Sequence, residues 1–452
     1  MYFKIKQEAE KAISKAVDSF DCGFDGEIKL EFPPNPEMGD LASTVTFELA
    51  KLLRKAPNMI APDVVEALEL PEIFEKAEAK GPYVNFFINH DIFAKELLDQ
   101  IDEDYGQMDD AGEKIVLEHT SANPNGPLHV GHLRNSIIGD SLKRLLKKAG
   151  VTVDTQYYVN DMGRQLAMIV YGIEELGLKV EDQPAEKIDH KIGELYFKVN
   201  QAIKENPELE KGVDETIRRY ESGPSDLDAV FEKTVNQCLD GVKETLSRMN
   251  VKHDAFVWEG QFVRSGEVDE LVHYIQREGF TREDDVLYID LTDFNIEKEF
   301  VLRRSNGTSL YSTRDLAYHK YKATLGDTVL DILGSDHKLA AKQIKVIFEE
   351  IFRQDAPEVI FYEFITLPEG SMSTRRGKFV SVDELIDEAV SRATDEIKSR
   401  NPDLTDEEIA PMAEQIGIGA IRFFIAKLSP EKHLTFKWDE ALSFERGCAS
   451  IQ

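Results

Sequence analysis

The chain has 452 residues, of which 42% are hydrophobic and 31% charged, and its formal net charge at pH 7 is −31. This length predicts about two to four domains of ordinary globular composition. The acidity argues against a protein that binds nucleic acid over its whole surface, although it is compatible with a local basic patch. No apolar run approaches the ~20 residues of a membrane-spanning helix. The first ten residues lack the apolar stretch of a secretory signal. No C-x-x-C pair is formed by Cys22, Cys238 and Cys448, and this spacing argues against a disulfide framework and a zinc site.

The first 110 residues are predicted to form a separate α+β domain. Helical spacing covers residues 2–17 and 41–53, and residues 81–88 have the composition of a short strand. The acidic, glycine-containing stretch 102–113 is the predicted linker to the next domain.

The clearest local pattern lies in residues 111–184, which are predicted to form the first half of a sheet domain. Residues 114–119 predict a buried strand, and a loop with Pro124, Gly126 and Pro127 follows. Helical spacing then runs over residues 129–149, and residues 151–159 predict a second strand. A strand, a helix and a strand at this spacing form a βαβ crossover, which requires a parallel sheet.

Residues 185–295 are charged, mostly helical in pattern and poor in strand signals, so they predict an insertion that splits the sheet domain. The sheet is predicted to resume over residues 296–380, with strands at 299–303, 329–333 and 359–363. The remainder, residues 381–452, is predicted to be helical, notably over 382–399 and 409–428.

Two clusters of basic residues stand out in this acidic chain: Lys143, Arg144, Lys147 and Lys148, and Arg375, Arg376 and Lys378. Each is more often a solvated face than a track for nucleic acid, and the pattern alone leaves both interpretations open.

The strongest single motif is His129-Val130-Gly131-His132, between a predicted strand and a predicted helix. The two histidines, at i and i+3, share one face of the first helical turn. A helix N-terminus offers unpaired N–H groups and partial positive charge, which suit phosphate, and imidazoles there can stabilise charge that builds at an α-phosphorus. Gly131 has no side chain, so a flat base can stack against its backbone. The alternative is a pair of histidines that merely cap a helix.

Residues 121–135 read Ser-Ala-Asn-Pro-Asn-Gly-Pro-Leu-His-Val-Gly-His-Leu-Arg-Asn, which closely resembles the signature of class I aminoacyl-tRNA synthetases in its arginyl form. Residues 157–165 and 38–42 resemble two further arginyl segments. The resemblance covers essentially the whole chain and is weakest across the insertion. It implies an α/β fold: a Rossmann-like parallel-sheet catalytic domain split by a mostly helical insertion, with an N-terminal α+β domain that contacts tRNA and a helical C-terminal segment.

The resemblance also implies a pocket for arginine. Tyr311 and Asp315 lie at i and i+4, on one helical face. By spacing alone they predict only a surface pair, but the resemblance assigns them to the guanidinium, which is planar, charged and rich in donors. Glu118 would add charge, and Asn123 would contact the α-amino end with His337 nearby.

The remaining site residues are assigned by the resemblance to ATP. Asp336 would hold the ribose hydroxyls, beside the phosphate contacts of His129, Gly131 and His132. Residues 371–377 resemble the mobile signature loop whose cations clamp the pyrophosphate leaving group.

Two usual lysines of that loop are Ser371 and Thr374 here. The clamp is therefore assigned to Arg375 and Arg376, and the ATP contacts to Met372 and Ser373. The alternative interpretation of this segment is a flexible basic loop.

The implied reaction joins arginine to tRNA in two steps. The carboxylate of arginine attacks the α-phosphorus of ATP, and the 2′-hydroxyl of the terminal adenosine of tRNA then attacks the adenylate. We expect catalysis by positioning and charge stabilisation, with Mg²⁺ carried on ATP and no protein-bound metal. The expected partners are tRNA(Arg), L-arginine and ATP, without DNA or a membrane, and the expected state is a cytoplasmic monomer.

Family members continue beyond the segment that corresponds to residues 436–445 into a helical anticodon-binding domain, most of which we expect this sequence to lack. Two alternatives stay open. One is another class I synthetase or a nucleotidylyltransferase on the same scaffold, against which the set Glu118, Asn123, Tyr311 and Asp315 argues. The other is a catalytically silent, synthetase-derived RNA-binding protein or fragment, which Ser371 and the C-terminal end favour.

Overall fold

The computed structural model describes residues 2–305, 307–366 and 380–441. The chain forms two compact units, Met1–Gln107 and Met108–Gln452. Each unit has its own hydrophobic core.

The first unit packs helices on a four-stranded antiparallel sheet of order β1-β2-β4-β3. Its elements are α1 (Tyr2–Asp18), β1 (Leu30–Glu31), β2 (Leu41–Ser43), α2 (Val45–Leu53), α3 (Pro57–Ala67), β3 (Phe74–Lys80), β4 (Tyr83–Ile88) and α4 (His90–Gln100). The predicted start of a helix at residue 41 is wrong. Residues 41–43 pair with β1 on one side and β4 on the other, so backbone pairing overrides the helical spacing there.

The second unit begins with the predicted βαβ crossover and continues through a long helical region. Its elements up to the end of that region are β5 (Lys114–Glu118), α5 (Val130–Lys148), β6 (Thr152–Val159), α6 (Arg164–Glu174), α7 (Ile188–Glu205), α8 (Leu209–Glu221), α9 (Asp228–Arg248), β7 (Ala255–Trp258), α10 (Glu259–Arg264) and α11 (Glu267–Arg277).

The rest of the second unit alternates short strands and helices and includes a pair of long helices. These elements are β8 (Thr281–Glu283), β9 (Leu287–Ile289), β10 (Phe300–Arg303), α12 (Tyr311–Lys322), β11 (Thr328–Gly334), α13 (Lys338–Val346), β12 (Glu358–Tyr362), β13 (Ile365–Thr366), α14 (Val382–Arg400), α15 (Asp406–Ala426), β14 (Leu434–Thr435) and α16 (Trp438–Ala441).

The main sheet is parallel and has the order β12-β11-β5-β6-β7. The chain builds outwards from β5 through β6 to β7 and then returns to the other side of β5 with β11 and β12. The order therefore reverses between β5 and β11. In open parallel sheets this switch point leaves a crevice at the carboxyl ends of the strands, where ligands bind.

Two strand predictions need correction. The strand at 300–303, expected in the main sheet, pairs instead with β9 in a separate antiparallel sheet of order β10-β9-β8. Short connections allow antiparallel pairing, whereas a parallel partner requires a long crossover. Conversely, β7 lies within the predicted helical insertion yet forms the edge of the main sheet next to β6.

Helix α5 lies close against the end of β5. A Cβ atom at Gly139 would lie 2.3 Å from Cγ of His119, so this approach requires glycine. Lys143 belongs to a basic cluster for which the sequence favours a solvated face, but its side chain is buried. Its ammonium donates to the hydroxyl of Thr155 at 3.0 Å and to the carbonyl of Lys252 at 2.8 Å.

Among the described residues, one helix, α15, is long and apolar enough by composition to cross a membrane. Its side chains Ile409, Ile421, Phe424 and Ile425 are buried against neighbouring elements, among them α14 and α5. The apolar composition of α15 therefore serves the core of this unit.

Candidate active site

The two histidines of the predicted phosphate motif form the first turn of α5. His129 is the N-cap residue, and its Nδ1 accepts a hydrogen bond from the backbone N–H of Gly131 at 3.0 Å. The Nδ1 of His132 accepts from the backbone N–H of His129 at 3.4 Å, and the two rings stack with centroids 3.7 Å apart. Because both Nδ1 atoms accept, the proton of each neutral ring lies on Nε2.

Burial keeps these rings neutral at physiological pH. It lowers the pKa of His132 to about 3, with a further contribution from His129, and it also lowers the pKa of His129. The start of α5 is held in place by two backbone hydrogen bonds with the N-terminal end of α14 and the residues just before it: the N–H of Val130 donates to the carbonyl of Val380 at 3.2 Å, and that of Val382 to the carbonyl of Leu128 at 2.8 Å. The helix N-terminus thus carries two fixed, uncharged N–H donors.

A strained turn follows β5. Thr120 and Ser121 adopt left-handed backbone conformations with φ of 72° and 39°, which residues other than glycine rarely adopt. The turn is held by Asn135 of α5, whose Oδ1 accepts from the N–H of Thr120 at 2.8 Å. The Nδ2 of Asn135 donates to the carbonyl of Ile332 at 2.9 Å, which ties the ends of β5 and β11 together. Strain of this kind is typical of functional sites.

A cavity of about 500 Å³ lies at the carboxyl ends of β5 and β11. It brings together seven of the predicted site residues: Glu118, Asn123, His132, Tyr311, Asp315, Asp336 and His337. His129 does not line this cavity but stacks on His132, and Gly131 lies between them in the chain. The predicted loop residues Met372, Ser373, Arg375 and Arg376 lie outside the described residues.

The cavity residues differ in their exposure to solvent. Glu118 is buried, and Tyr311 is 48% exposed. The side chains of Asp336 and His337 are also largely open to solvent. The amide of Asn123 donates to Oε1 of Gln165 at 3.0 Å, which fixes its orientation. Glu118 therefore lies at the buried end of the cavity, and Tyr311, Asp336 and His337 form a more open polar rim.

Arg314, which lies between Tyr311 and Asp315 in the sequence, lines a different cavity of about 780 Å³ that shares Tyr311 with the first. Its guanidinium binds Glu259 at 3.0 Å and Glu221 at 2.5 Å. Burial raises the pKa of Glu259 to about 7, against the opposing effect of Arg314.

Residues that the sequence analysis missed complete an ion-pair network at the floor of the 500 Å³ cavity. His319 lines the cavity with Glu118 and Asp315, whereas Lys322 and Asp331 are fully buried behind them and do not line it. Lys322 and His319 of α12 contact Asp331, which is the register partner of Glu118 in the main sheet. A signal was present: Asp315, His319 and Lys322 share the spacing of one helical face, and Asp331 interrupts an apolar strand. A charged residue in a buried strand needs a partner, so it marks a buried ion-pair network.

Family models assign the chain to a class of enzyme. The model described as "tRNA synthetases class I (R), catalytic domain" matches residues 95–438. The model described as "Arginyl tRNA synthetase N terminal domain" matches residues 4–88. The parallel sheet, with a histidine-containing helix N-terminus at its switch point, is therefore the catalytic fold of a class I aminoacyl-tRNA synthetase.

Individual relatives specify the amino acid. The chain is 70% identical to the arginine–tRNA ligase of Methanobrevibacter smithii and 58% identical to that of Methanothermobacter thermautotrophicus, over 100% of this chain and 80% of each relative. The structure of Thermus thermophilus arginyl-tRNA synthetase matches with a TM-score of 0.77 at 28% identity, over 98% of this chain and 79% of that chain. The chain belongs to the arginyl-tRNA synthetase family, and its activity is that of an arginine–tRNA ligase. The predicted family, fold class and enzyme class are confirmed.

Proposed function

We propose that the 500 Å³ cavity binds L-arginine, with its guanidinium against Asp315 and Tyr311. Glu118 adds negative charge, while Asn123 and His337 contact the α-amino end. The observation that carries this proposal is the shared cavity itself, because it joins two carboxylates to His132. A guanidinium presents donors in a fixed planar fork, so paired oxygens on a rigid floor suit it better than they suit an ammonium.

In the same proposal, the start of α5 receives the phosphates of ATP. His129 and His132 donate from Nε2 to the triphosphate, and the helix N-terminus adds its partial positive charge. Gly131 leaves space for the base, and Asp336 holds the ribose. Met372, Ser373, Arg375 and Arg376 of the signature loop complete the site, with the two arginines on the pyrophosphate. Since both imidazoles are neutral, they stabilise developing charge by hydrogen bonding rather than as cations.

Class I synthetases use ATP, generally with Mg²⁺, which neutralises part of the charge of the triphosphate. We propose that this ion is carried on ATP and that the protein holds no metal of its own. Within the described ranges one group could ligate a metal, namely Asp189, His190 and Asp383. The ammonium of Lys187 lies 3.3 Å from Asp189 and 2.9 Å from Asp383, so these carboxylates are already paired with a cationic side chain.

The proposed partners are tRNA(Arg), L-arginine and ATP, and we propose that the protein acts as a cytoplasmic monomer. Its sequence-wide acidity implies that tRNA is bound through restricted basic tracks rather than through the general surface.

Arginine-dependent ATP–pyrophosphate exchange, measured with and without tRNA, tests this proposal. Exchange is expected with L-arginine and not with L-citrulline, which has the same length but a neutral ureido group. Equal exchange with both amino acids would contradict the assignment of Asp315 and Glu118. Absence of exchange even with tRNA would contradict the proposed site.

A further inference from the structure

Two carboxylates lie side by side in the floor network: Glu118 lines the proposed arginine cavity, and Asp331 is buried behind it. Asp331 of β11 and Glu118 of β5 are register partners in the parallel sheet, so their side chains project from the same face of neighbouring strands. Both residues are buried, at 0% and 7% exposure. Adjacent buried carboxylates repel, and one of them takes up a proton unless a cation lies between them.

Lys322, near the C-terminal end of α12, supplies that cation. Its side chain is fully buried, and its Nζ lies 2.6 Å from Oε2 of Glu118 and 2.5 Å from Oδ1 of Asp331. The ammonium also lies 4.5 Å from the ring centroid of Tyr318. Two of its three protons thus face carboxylates and the third faces an aromatic ring. Lys322 is fully engaged by the protein and acts on a ligand only through its neighbours.

His319 supplies a second cation to the same floor. Its Nε2 lies 2.9 Å from Oδ2 of Asp331, and its Nδ1 lies 2.8 Å from the backbone carbonyl of Asp315 and 3.4 Å from the carboxylate of that residue. Both ring nitrogens face acceptors, so both carry protons. Despite burial and the nearby Lys322, Asp315 and Asp331 raise the pKa of His319 to about 10.

Asp331 is consequently satisfied within the protein, one oxygen by Lys322 and the other by His319. Glu118 also has one donor on each oxygen, Lys322 on Oε2 and the hydroxyl of Ser121 on Oε1 at 2.9 Å. Glu118 differs because it lines the cavity, so the second lone pairs of its carboxylate are available to a ligand. Burial raises the pKa of Glu118, and the ammonium of Lys322 opposes this effect. With Lys322 and His319 protonated and the carboxylates of Asp315, Glu118 and Asp331 ionised, the floor network carries one net negative charge.

We propose that Lys322 is a positioning residue that determines specificity: it orients Glu118 and, with His319, neutralises Asp331, so that the floor network presents a single net negative charge to one guanidinium. This inference rests on the proposed arginine site. Without Lys322, Glu118 and Asp331 would share a proton and Glu118 would rotate. A protonated, mobile Glu118 neither attracts nor orients a guanidinium.

A double-mutant cycle of Lys322→Gln and Glu118→Gln tests this coupling. Each single variant is expected to raise the arginine KM about 10- to 100-fold in pyrophosphate exchange and to leave the ATP KM within about threefold. The arginine KM of the double variant should not exceed that of the more impaired single variant, since Lys322 acts through Glu118. Lys143→Gln is the matched control: it removes another buried lysine, outside the cavity, and should lower thermal stability without a selective change in the arginine KM.

The proposal would be overturned if the increases in arginine KM of the two single variants multiplied in the double variant. It would also be overturned if the ATP KM rose as much as the arginine KM. If Lys322→Gln does not fold, the triple variant with Glu118→Gln and Asp331→Asn should fold again, because no buried carboxylate pair then needs neutralising. A triple variant that still fails to fold would show that Lys322 is needed for packing and would overturn the inference. Wild-type protein without arginine-dependent exchange would refute the proposed function instead, whereas an active wild type with an unchanged arginine KM in Lys322→Gln would refute only this inference.

Discussion

Removal of the Asp315 carboxylate is expected to weaken arginine binding much more than ATP binding. The side chain is 19% exposed and lines the same cavity as Glu118. Truncation of one partner of a hydrogen-bonded charge pair costs ~2–5 kcal/mol. Because Glu118 still supplies negative charge to the cavity, the lower part of this range applies. A loss of ~2–3 kcal/mol corresponds to a rise of ~30- to 150-fold in the arginine KM.

The assay for Asp315→Ala is pyrophosphate exchange in the presence of tRNA, with arginine and ATP varied in turn. Asp406→Ala is the matched control, since Asp406 is an exposed carboxylate in the first turn of α15 that pairs only with Lys398 among the contacts described. The control should leave both KM values unchanged. An equal rise in the arginine KM and the ATP KM of Asp315→Ala would refute the assignment of this residue to the guanidinium.

Three further predictions concern the helix N-terminus, the ion-pair network and the core. His132→Ala should reduce the kcat of exchange about 100-fold, because one donor to the transition state is lost, with little change in the arginine KM; a collapse of arginine affinity would contradict this. The raised pKa of His319 means that its protonation stabilises the fold fully below pH 6.5 and that this stability is lost as pH rises towards about 10. Urea unfolding of His319→Gln should therefore show a weaker loss of stability across that window than the wild type, and equal slopes would contradict it. Arg134 is fully buried and donates to the carbonyls of Glu363, Lys432 and Ser429, so Arg134→Met should lower the free energy of unfolding by ~3 kcal/mol or more; a loss below ~1 kcal/mol would show that these carbonyls find other donors.

Local patterns predicted the elements that surround the proposed nucleotide end of the site. The strand, the loop and the helix that begins at His129 are contiguous, and their hydrophobic periodicity reports burial of each segment directly. The same applies to β11, β12, α14 and α15, whose predicted and observed bounds differ by a few residues.

Pairing between distant segments could not be predicted in this way. Periodicity indicates that β10 is a strand but not that its partner is β9, and the four residues of β7 are too few to stand out among helices. Lys143 was misread for a related reason: a basic cluster on a helix predicts a solvated face unless the acceptors that bury one member are known.

The sequence by itself determined the family, the βαβ frame and the residue types that suit phosphate and guanidinium, because these reside in short contiguous motifs. Only the tertiary structure decided which charges meet. Lys322 and Glu118 are 204 residues apart in the chain, and their contact depends on the register of β5 and β11 and on the face of α12 that packs against them. Buried ion pairs form between groups a few ångströms apart, so the pairing of charges depends on distances in the folded structure that no local sequence pattern encodes.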